Sequence, residues 1–438
     1  MNQGVELPSR WLVAQAAVRP LASALLHPAA QLDFRRLHRL IAHPRRWTAR
    51  FHESPRLREA LAIHCALRGT VPVPHDIRPT SGGTRPRLPP ARGKPLANAW
   101  SQPLLAAATS GTTGRPRRIL LTAGNLAASA AAVSSVVGLA AGDRWLNVLP
   151  LTHVGGIAIL ARCLYAGAAM ILRERFDAED VLAILWDLDV SHVSLVPVML
   201  ARLLDCSGDA PPPARLRVAL VGGDRLDTRL AERALAAGWP IHVSWGMTET
   251  ASSVCIRALG RATPPDTTRV GRPIQGLRVG TSGHGARLSV RGPQVSPGAS
   301  RATFRATDRT RVPPARSVLC RDHGAVQPDG QVRVLGRHDR MAVSGGVNVP
   351  LDAVERALLE HPQIREACVV AVPDPVWGDR IAALLVLDRD AMDPLSWIRA
   401  RLPPAWRPRR IVRLAELPRT ALGKLDRDAA RRLLSKPA

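Results

Sequence analysis

The sequence predicts an α/β fold: a large N-terminal domain of parallel βαβ layers with a β-barrel-like part, and a small α+β C-terminal domain. From about residue 144, short β-rich apolar runs alternate with helix-length segments, a pattern typical of βαβ units around a buried parallel sheet. Residues 259–316 are instead rich in Arg, Pro, Thr, Ser and Gly, which favours loops and short strands. A compact α+β pattern of about 100 residues follows. We therefore place the domain boundary near Asp339, giving domains at residues 1–338 and 339–438.

The elements are predicted in the following order. Strands of the first domain are expected at residues 144–151, 168–172, 191–197, 217–223 and 241–246. In the second domain we expect a helix at 351–361, strands at 366–372 and 381–387, a helix at 396–402, a strand at 409–414 and a final basic helix. The part of the first domain before residue 104 is expected to be somewhat shortened.

The charge of the chain is strongly basic. It has 438 residues, with 61 Lys+Arg against 35 Asp+Glu and a formal net charge of +26. This balance is typical of nucleic-acid-binding proteins. However, 58 of the basic residues are arginines scattered along the whole chain, and one tyrosine and four phenylalanines offer little surface for base stacking. We therefore expect no nucleic-acid partner.

Cysteine usage and hydropathy indicate the compartment. The six cysteines are widely spaced without a CxxC pair, as expected of buried or free thiols in a reducing cytosol. The alanine-rich stretch at residues 126–141 is shorter than the roughly 20 apolar residues of a membrane span. We expect a cytoplasmic protein without a membrane span. The oligomeric state is left open, a homo-oligomer being one alternative.

The sharpest local motif is a run of hydroxyl and glycine residues followed by a basic residue. Such residues expose backbone N–H groups and hydroxyls without side-chain bulk, which suits a phosphate group. The motif is not a Walker A loop, because GxxxxGK[ST] is absent. A polar turn without a ligand is the alternative interpretation. The candidate phosphate-binding residues are Thr109, Ser110, Gly111, Thr112, Thr113, Gly114 and Arg117.

This motif resembles the phosphate loop of the acyl-adenylate-forming superfamily, which includes acyl-CoA ligases, luciferases and peptide-synthetase adenylation domains. Further segments are similar to the motifs of that superfamily and occur in the same order. They lie at residues 221–224, 244–250, 321–324, 335–339, 344–349 and 418–427. Together with the phosphate loop, these motifs occur in the right order across residues 109–427, which makes a chance resemblance very improbable.

The resemblance implies roles in the first domain. Trp245 would pack on adenine, Thr248 would contact the α-phosphate and Glu249 would bind Mg²⁺. The nucleotide-binding set would be completed by Gly222, Gly223 and Gly246.

The resemblance also implies roles near and beyond the domain boundary. Asp322 would hold both ribose hydroxyls and Arg337 would reach the ribose or a phosphate. Asp339 would be the hinge about which a mobile C-terminal domain rotates, and Lys424 would be the catalytic lysine. The glycine loop that lines the path of coenzyme A would contain Gly345 and Gly346.

Four further segments closely resemble the o-succinylbenzoate–CoA ligases of menaquinone biosynthesis. They lie at residues 149–156, 161–167, 192–197 and 248–255. The resemblance implies that His153 orients the acid, with Ser194 and Ser252 in the acyl pocket. An arginine would suit the second carboxylate of such a substrate, since its planar fork pairs bidentately. The sequence does not identify which arginine.

The sequence therefore predicts an ATP-dependent acid–CoA ligase that uses ATP, Mg²⁺ and coenzyme A, with o-succinylbenzoate as its small carboxylic acid substrate. One alternative is adenylation of another aryl or fatty acid, with coenzyme A or a carrier-protein thiol as acceptor. Another is a non-catalytic binding protein on the same fold. The presence of Lys424, Glu249 and Asp322 disfavours this last alternative.

Overall fold

The computed structural model of the chain describes residues 15, 23–28, 30–41, 54, 56–57, 60–61, 63, 103–109, 117–260, 265–282, 287–299, 317–388, 395–420 and 424–435. The described α-helices are α1 Phe34–Ile41, α2 Ala123–Val137, α3 Val154–Ala166, α4 Ala178–Asp187, α5 Pro197–Ser207, α6 Thr228–Ala236, α7 Leu351–Leu359, α8 Leu395–Arg401 and α9 Arg427–Ser435.

The strands are numbered in chain order. They are β1 Ser23–His27, β2 Ala30–Asp33, β3 Pro103–Thr109, β4 Arg117–Thr122, β5 Arg144–Asn147, β6 Ala169–Leu172, β7 His192–Leu195, β8 Val218–Val221, β9 Ile241–Met247, β10 Ser252–Ala258, β11 Arg269–Gly271, β12 Arg278–Ser282, β13 Arg287–Arg291, β14 Gly298–Ala299, β15 Ser317–Val326, β16 Val332–Arg337, β17 Met341–Ser344, β18 Val347–Pro350, β19 Ile364–Asp374, β20 Gly378–Leu387 and β21 Arg410–Arg413.

The chain divides into two compact units. The N-terminal unit comprises Met1–Val279, Val290–Val318 and Pro328–Val332. The C-terminal unit comprises Gly280–Ser289, Leu319–Gln327 and Arg333–Ala438.

The N-terminal unit contains an eight-stranded sheet with the strand order β10-β9-β8-β7-β5-β6-β1-β2. The neighbours from β9 to β1 pair in parallel, and both edge pairs are antiparallel. The five predicted strands of the alternating region are confirmed as β5 to β9. Every residue of β6, β7 and β8 is buried, as expected of parallel strands covered on both faces.

Helix α2 shows how local sequence sets an element beside the sheet. It begins at a capping box in which Thr122 Oγ1 accepts from the Asn125 N–H at 3.1 Å and Asn125 Oδ1 accepts from the Thr122 N–H at 3.0 Å. It ends at Gly138, whose φ of 64° favours glycine. The helix is almost entirely buried, so the alanine-rich stretch serves the core. None of the described helices is long and apolar enough to cross a membrane.

The short strands expected after residue 259 are also present. They contribute to a five-stranded sheet of order β11-β16-β15-β13-β12 and to a three-stranded sheet of order β14-β4-β3. The Ser296 hydroxyl donates to the Leu120 carbonyl at 2.6 Å, and the Asn125 amide donates to the carbonyls of Pro293 and Val295. These bonds hold the segment at residues 293–296 against β4 and α2.

In the C-terminal unit, β18, β17, β20 and β19 pair in that order, and β21 pairs with β20. The side chains of β19 alternate between two cores, as the two-residue period of a strand requires. Ala367 and Val369 pack with α7 and α8, whereas Cys368 and Val370 pack with α9. The helices and strands predicted for this region are confirmed, with ends that differ by a few residues.

Candidate active site

The predicted phosphate loop connects two paired strands. Thr109 ends β3 and faces Arg117, the first residue of β4, across an antiparallel pair. The predicted loop residues Ser110, Gly111, Thr112, Thr113 and Gly114 lie outside the described residues. Strand β4 and helix α2 follow the loop.

The glycine pair Gly222–Gly223 lies directly after the carboxyl end of β8. The Gly222 N–H donates to the Leu195 carbonyl of β7 at 3.1 Å. A Cβ on Gly222 would stand 3.1 Å from the Ser244 carbonyl oxygen, so glycine lets the two backbones approach closely. The carboxyl ends of parallel strands are where open α/β sheets place their ligand sites, so this turn is well situated for one.

The adjacent strand β9 carries Trp245 and ends in one turn of 3-10 helix, Thr248–Thr250. Trp245 is buried, with 7% of its surface exposed, and pairs across the sheet with Cys255. A Cβ on Gly246 would stand 2.1 Å from the Ser252 carbonyl oxygen, which explains why this position is glycine.

The turn after Glu249 is strained and tightly held. Ala251 and Ser252 have φ angles of 52° and 108°, and such positions cost roughly 1–3 kcal/mol each in residues other than glycine. Ser296 donates its N–H to the Glu249 carbonyl at 2.7 Å, and the Ser129 hydroxyl donates to the Ala251 carbonyl at 2.8 Å. Backbone strain fixed from several sides is typical of functional sites.

The arrangement of carboxylates among the described residues indicates which kind of Mg²⁺ site they could form. Within that part of the chain, no group of three or more His, Cys, Asp or Glu side chains is arranged to hold a metal ion. Mg²⁺ at nucleotide sites is usually held by one or two carboxylates together with substrate phosphates. The half-buried Glu249, alone on the strained turn, fits this second kind of site.

Arg162 lies in the interior beside this turn. It is the one charged residue of α3, and 2% of its surface is exposed. Its guanidinium donates from Nη2 to the Ser252 hydroxyl at 2.9 Å and lies 5.4 Å from the centre of the Trp145 ring. Burial lowers the pKa of Arg162 to about 10, so the side chain remains a cation at neutral pH.

The charge of Arg162 has no anionic partner among the described residues. Its Nε is buried and makes no hydrogen bond to them. The neighbouring Cys163 does not supply a negative charge, because burial raises the pKa of its thiol. An isolated buried cation is costly, so this position favours an anion beside the guanidinium.

A second set of side chains holds the Trp145 ring in place. The indole Nε1–H donates to the Ser194 hydroxyl at 3.1 Å. The imidazole of His192 stacks on the same ring with a centroid distance of 5.1 Å. His192 Nε2 lies 3.1 Å from the Val137 carbonyl oxygen, so that nitrogen carries the proton. Ser194 and Ser252 are thus linked through Trp145 and Arg162.

His153 stands at the start of α3, the helix that carries Arg162. It occupies the N-cap position and is partly buried, without a side-chain bond to the helix backbone. A Cβ on Gly156 would stand 2.4 Å from the Pro150 carbonyl oxygen, so the first turn of α3 packs closely on the preceding loop.

Six of the sequence-predicted residues lie in the C-terminal unit: Asp322, Arg337, Asp339, Gly345, Gly346 and Lys424. Asp322 is a partly buried residue of β15. At the end of β16, Arg337 donates from Nε and Nη2 to the two carboxylate oxygens of Asp339, both at 2.8 Å. The structure therefore brings the predicted hinge residue and the predicted nucleotide-binding arginine into direct contact.

The glycine loop joins β17 to β18. Gly345 and Gly346 have φ angles of 57° and 78°, which other residues adopt only with strain. The Gly345 N–H donates to the Trp377 carbonyl at 2.9 Å, and a Cβ on Gly345 would stand 3.0 Å from the Trp377 ring. Lys424 lies before α9, and its carbonyl accepts from the Thr420 N–H at 2.8 Å.

Neither Arg162 nor Trp145 is among the site residues predicted from the sequence. The signal for Arg162 was present, because a single charged residue interrupts an otherwise apolar helix. Trp145 carried no such signal, since a tryptophan in a buried strand is normally a core residue.

Comparison with known proteins yields a consistent set of similarities. A family described as AMP-binding enzyme matches residues 51–298, and the AMP-binding enzyme C-terminal domain matches residues 353–424. A 2-succinylbenzoate–CoA ligase of Bacillus thuringiensis subsp. konkukian is 33% identical over 343 residues, which cover 75% of this chain and 69% of that protein.

Solved structures share the fold. The o-succinylbenzoate CoA synthetase of Bacillus subtilis in complex with its acyl-adenylate intermediate has a TM-score of 0.76 and 24% identity, covering 98% of each chain. ATP-bound MatB from Rhodopseudomonas palustris has a TM-score of 0.80 and 18% identity, covering 98% of this chain and 99% of that one.

Proposed function

The chain belongs to the AMP-binding enzyme family, and we propose that it is an ATP-dependent acid–CoA ligase that converts o-succinylbenzoate to o-succinylbenzoyl-CoA. The similarity to a 2-succinylbenzoate–CoA ligase at 33% identity supports this substrate. ATP, Mg²⁺ and coenzyme A are the other reactants that the proposed activity needs.

The main structural observation in favour of o-succinylbenzoate is the buried guanidinium of Arg162. o-Succinylbenzoate has two carboxylates, of which the succinyl group is activated and the aromatic group is not. The aromatic carboxylate needs a cation inside an otherwise apolar pocket, and Arg162 is a buried cation without an anionic partner among the described residues. The fork of an arginine can pair with a carboxylate bidentately. Ser252 and Trp145 fix its orientation.

The reaction has two half-reactions. In the first, a succinyl carboxylate oxygen attacks the α-phosphorus of ATP, the bond to the β-phosphate oxygen breaks, and pyrophosphate leaves. In the second, the sulfur of coenzyme A attacks the acyl carbon, the acyl–oxygen bond to AMP breaks, and the thiol proton passes to solvent. Both steps depend chiefly on positioning and charge stabilisation.

Each site residue has its own role in this reaction. Thr248 and the phosphate loop contact the phosphates, Trp245 and the Gly222–Gly223 turn line the adenine, and His153 orients the acid. Asp322 and Arg337 hold the ribose. Glu249 would hold Mg²⁺, which would supply positive charge to the phosphate oxygens.

Lys424 supplies positive charge in the first half-reaction. Its ammonium neutralises charge shared between the attacking carboxylate and the α-phosphate. Rotation about Asp339 then withdraws Lys424 and brings Gly345 and Gly346 to the path of coenzyme A, the kind of domain movement that completes successive steps in other enzymes. A homo-oligomer, a cytoplasmic location and the absence of a nucleic-acid partner remain predictions.

The test measures pyrophosphate release by the purified protein with ATP and Mg²⁺. The acids are o-succinylbenzoate, 4-oxo-4-phenylbutanoate, which lacks the aromatic carboxylate, and a fatty acid. Mass spectrometry after addition of coenzyme A identifies the product. We expect selective turnover of o-succinylbenzoate to its coenzyme A thioester. Preference for another acid, or an adenylate that coenzyme A does not convert, would overturn the proposed substrate or acceptor.

A further inference from the structure

The segment that carries Lys424 is closed by its own backbone. Its two sides, residues 417–420 and 424–427, are called the lysine segment. Two backbone hydrogen bonds join them, from the Thr420 N–H to the Lys424 carbonyl and from the Asp426 N–H to the Pro418 carbonyl, both at 2.8 Å, and together they form an antiparallel bridge between Arg419 and Leu425. Lys424 therefore moves with the two sides of the segment.

Each side of the lysine segment is tied to a carboxylate of the same C-terminal unit. On the first side, Arg419 Nη2 lies 2.5 Å from Glu366 Oε2 on β19. On the second side, Arg427 Nη2 lies 3.1 Å from Glu355 Oε1 on α7. Both pairs are partly shielded, and the Glu355 side chain is only 11% exposed. These contacts are therefore worth more than those of an open surface pair.

Glu355 also reaches the residue that follows the hinge. Its Oε2 accepts from Arg340 Nη2 at 2.8 Å and from the Val369 N–H at 3.1 Å. One buried carboxylate thus joins Arg340, next to Asp339, to Arg427, three residues after Lys424. The hinge side and the lysine side of the unit are linked through a single side chain.

We propose that Glu355 and Glu366 are positioning residues for Lys424, acting as a clamp on the two arginines that flank it, Arg427 and Arg419. This inference rests on the proposed function, because it assigns a purpose to the placement of the catalytic lysine. A lysine side chain is flexible along four carbons, so the backbone that bears it must be fixed by other contacts. A displacement of about 1 Å at a reacting group can cost roughly 10²-fold in rate.

The discriminating variant is Arg427→Gln. It removes the link between Glu355 and the lysine segment but leaves Glu355 paired with Arg340, so the buried carboxylate keeps a cation. The matched control is Arg431→Gln, one turn further along α9, where the arginine contacts Asp428 and the Ala371 carbonyl. Arg419→Gln tests the other side of the clamp, and Arg427→Lys tests rescue by a retained charge.

The first readout separates the two half-reactions. We expect Arg427→Gln to slow pyrophosphate release about tenfold while thioester formation from preformed acyl-adenylate stays within about twofold, because only the first step uses Lys424. Arg431→Gln should match the wild type in both, and Arg427→Lys should recover part of the loss. Equal losses in both half-reactions would overturn the proposal, because a general loss of structure would then explain them.

The second readout does not depend on activity. The chain has only three lysines, Lys94, Lys424 and Lys436, so a lysine-specific protease reports on Lys424 through release of the C-terminal peptide that begins at Leu425. Cleavage there requires the lysine segment to open. We expect Arg427→Gln and Arg419→Gln to release the peptide about tenfold faster than Arg431→Gln, as loss of a partly buried ion pair implies.

The two readouts keep the clamp and the proposed function separate. If the wild type releases no pyrophosphate with any acid, the proposed function fails, and the protease experiment still decides the clamp. If peptide release is the same in Arg427→Gln, Arg419→Gln and Arg431→Gln, the clamp is wrong whatever the enzyme activates.

Discussion

Arg337 and Asp339 form a bidentate ion pair in which both nitrogen–oxygen distances are 2.8 Å. Arg321 adds a longer contact of 3.3 Å to the same carboxylate. Burial alone would raise the pKa of Asp339, but the hydrogen bonds and charge of Arg337, with the charge of Arg321, hold that pKa below its ordinary value. The predicted hinge residue therefore stays ionised and fixes the guanidinium expected to reach the nucleotide.

Arg337→Gln should raise the KM for ATP about tenfold, because it removes a charge-assisted contact to the nucleotide and the partner of Asp339. Steady-state pyrophosphate release with ATP varied measures the effect. Arg321→Gln is the control, since it removes the longer contact to Asp339, and its KM should stay within about twofold of the wild type. Equal effects of the two variants would contradict the role assigned to Arg337.

Lys424→Ala and Gly346→Val should affect opposite half-reactions. Loss of the ammonium should suppress adenylate formation by about 10²-fold or more and largely spare thioester formation from preformed acyl-adenylate. Gly346 has a φ of 78°, so valine strains the glycine loop and should slow thioester formation. Rapid-quench assays of each half-reaction measure both. Equal loss in both steps for both variants would contradict the rotation about Asp339.

Asp143 should make the N-terminal unit sensitive to acid. Burial alone would raise its pKa, but bonds from the Ala140 N–H and from Arg217, at 2.9 and 2.8 Å, bring that pKa below its ordinary value. The stabilisation is therefore present above the unfolded-state pKa near 4 and is lost as pH falls through the lower native pKa.

Asp143→Asn should accordingly lower the free energy of unfolding at pH 7 by about 2 kcal/mol, allowing for the partial exposure of Arg217, and should flatten the loss of stability between about pH 4 and pH 2. Urea denaturation across that range measures both effects. Asp180→Asn, which breaks the more exposed pair with Arg173, is the control and should cost less than about 0.5 kcal/mol. Parallel pH profiles for wild type and Asp143→Asn would argue against the pair.

The alternating strands were predictable because burial on both faces leaves an unmistakable apolar run, as in Val218–Val221 of β8. The motif at residues 244–250 was predictable through its resemblance to a known family, and the backbone explains one of its residues. Gly246 has no space for a side chain against Ser252.

The side-chain pairs within the sites were not predictable, because they form between segments that are far apart in the sequence. Arg162 and Ser252 are 90 residues apart, and only the fold reveals that the arginine meets a hydroxyl rather than a carboxylate. The same holds for Arg427 and Glu355, which are 72 residues apart. Sequence patterns identify residue types suited to a role, whereas charge compensation is a property of the packed chain.

The proposed acid has a second carboxylate, which Arg162 would hold. The most direct test compares kcat/KM for o-succinylbenzoate and 4-oxo-4-phenylbutanoate in the wild type and in Arg162→Met, which has a similar volume and no charge. We expect the wild type to prefer o-succinylbenzoate by about 10²-fold and the variant to lose that preference almost completely. Without the guanidinium, the aromatic carboxylate of o-succinylbenzoate would be buried with no cation beside it. The same preference in both proteins would contradict the claim.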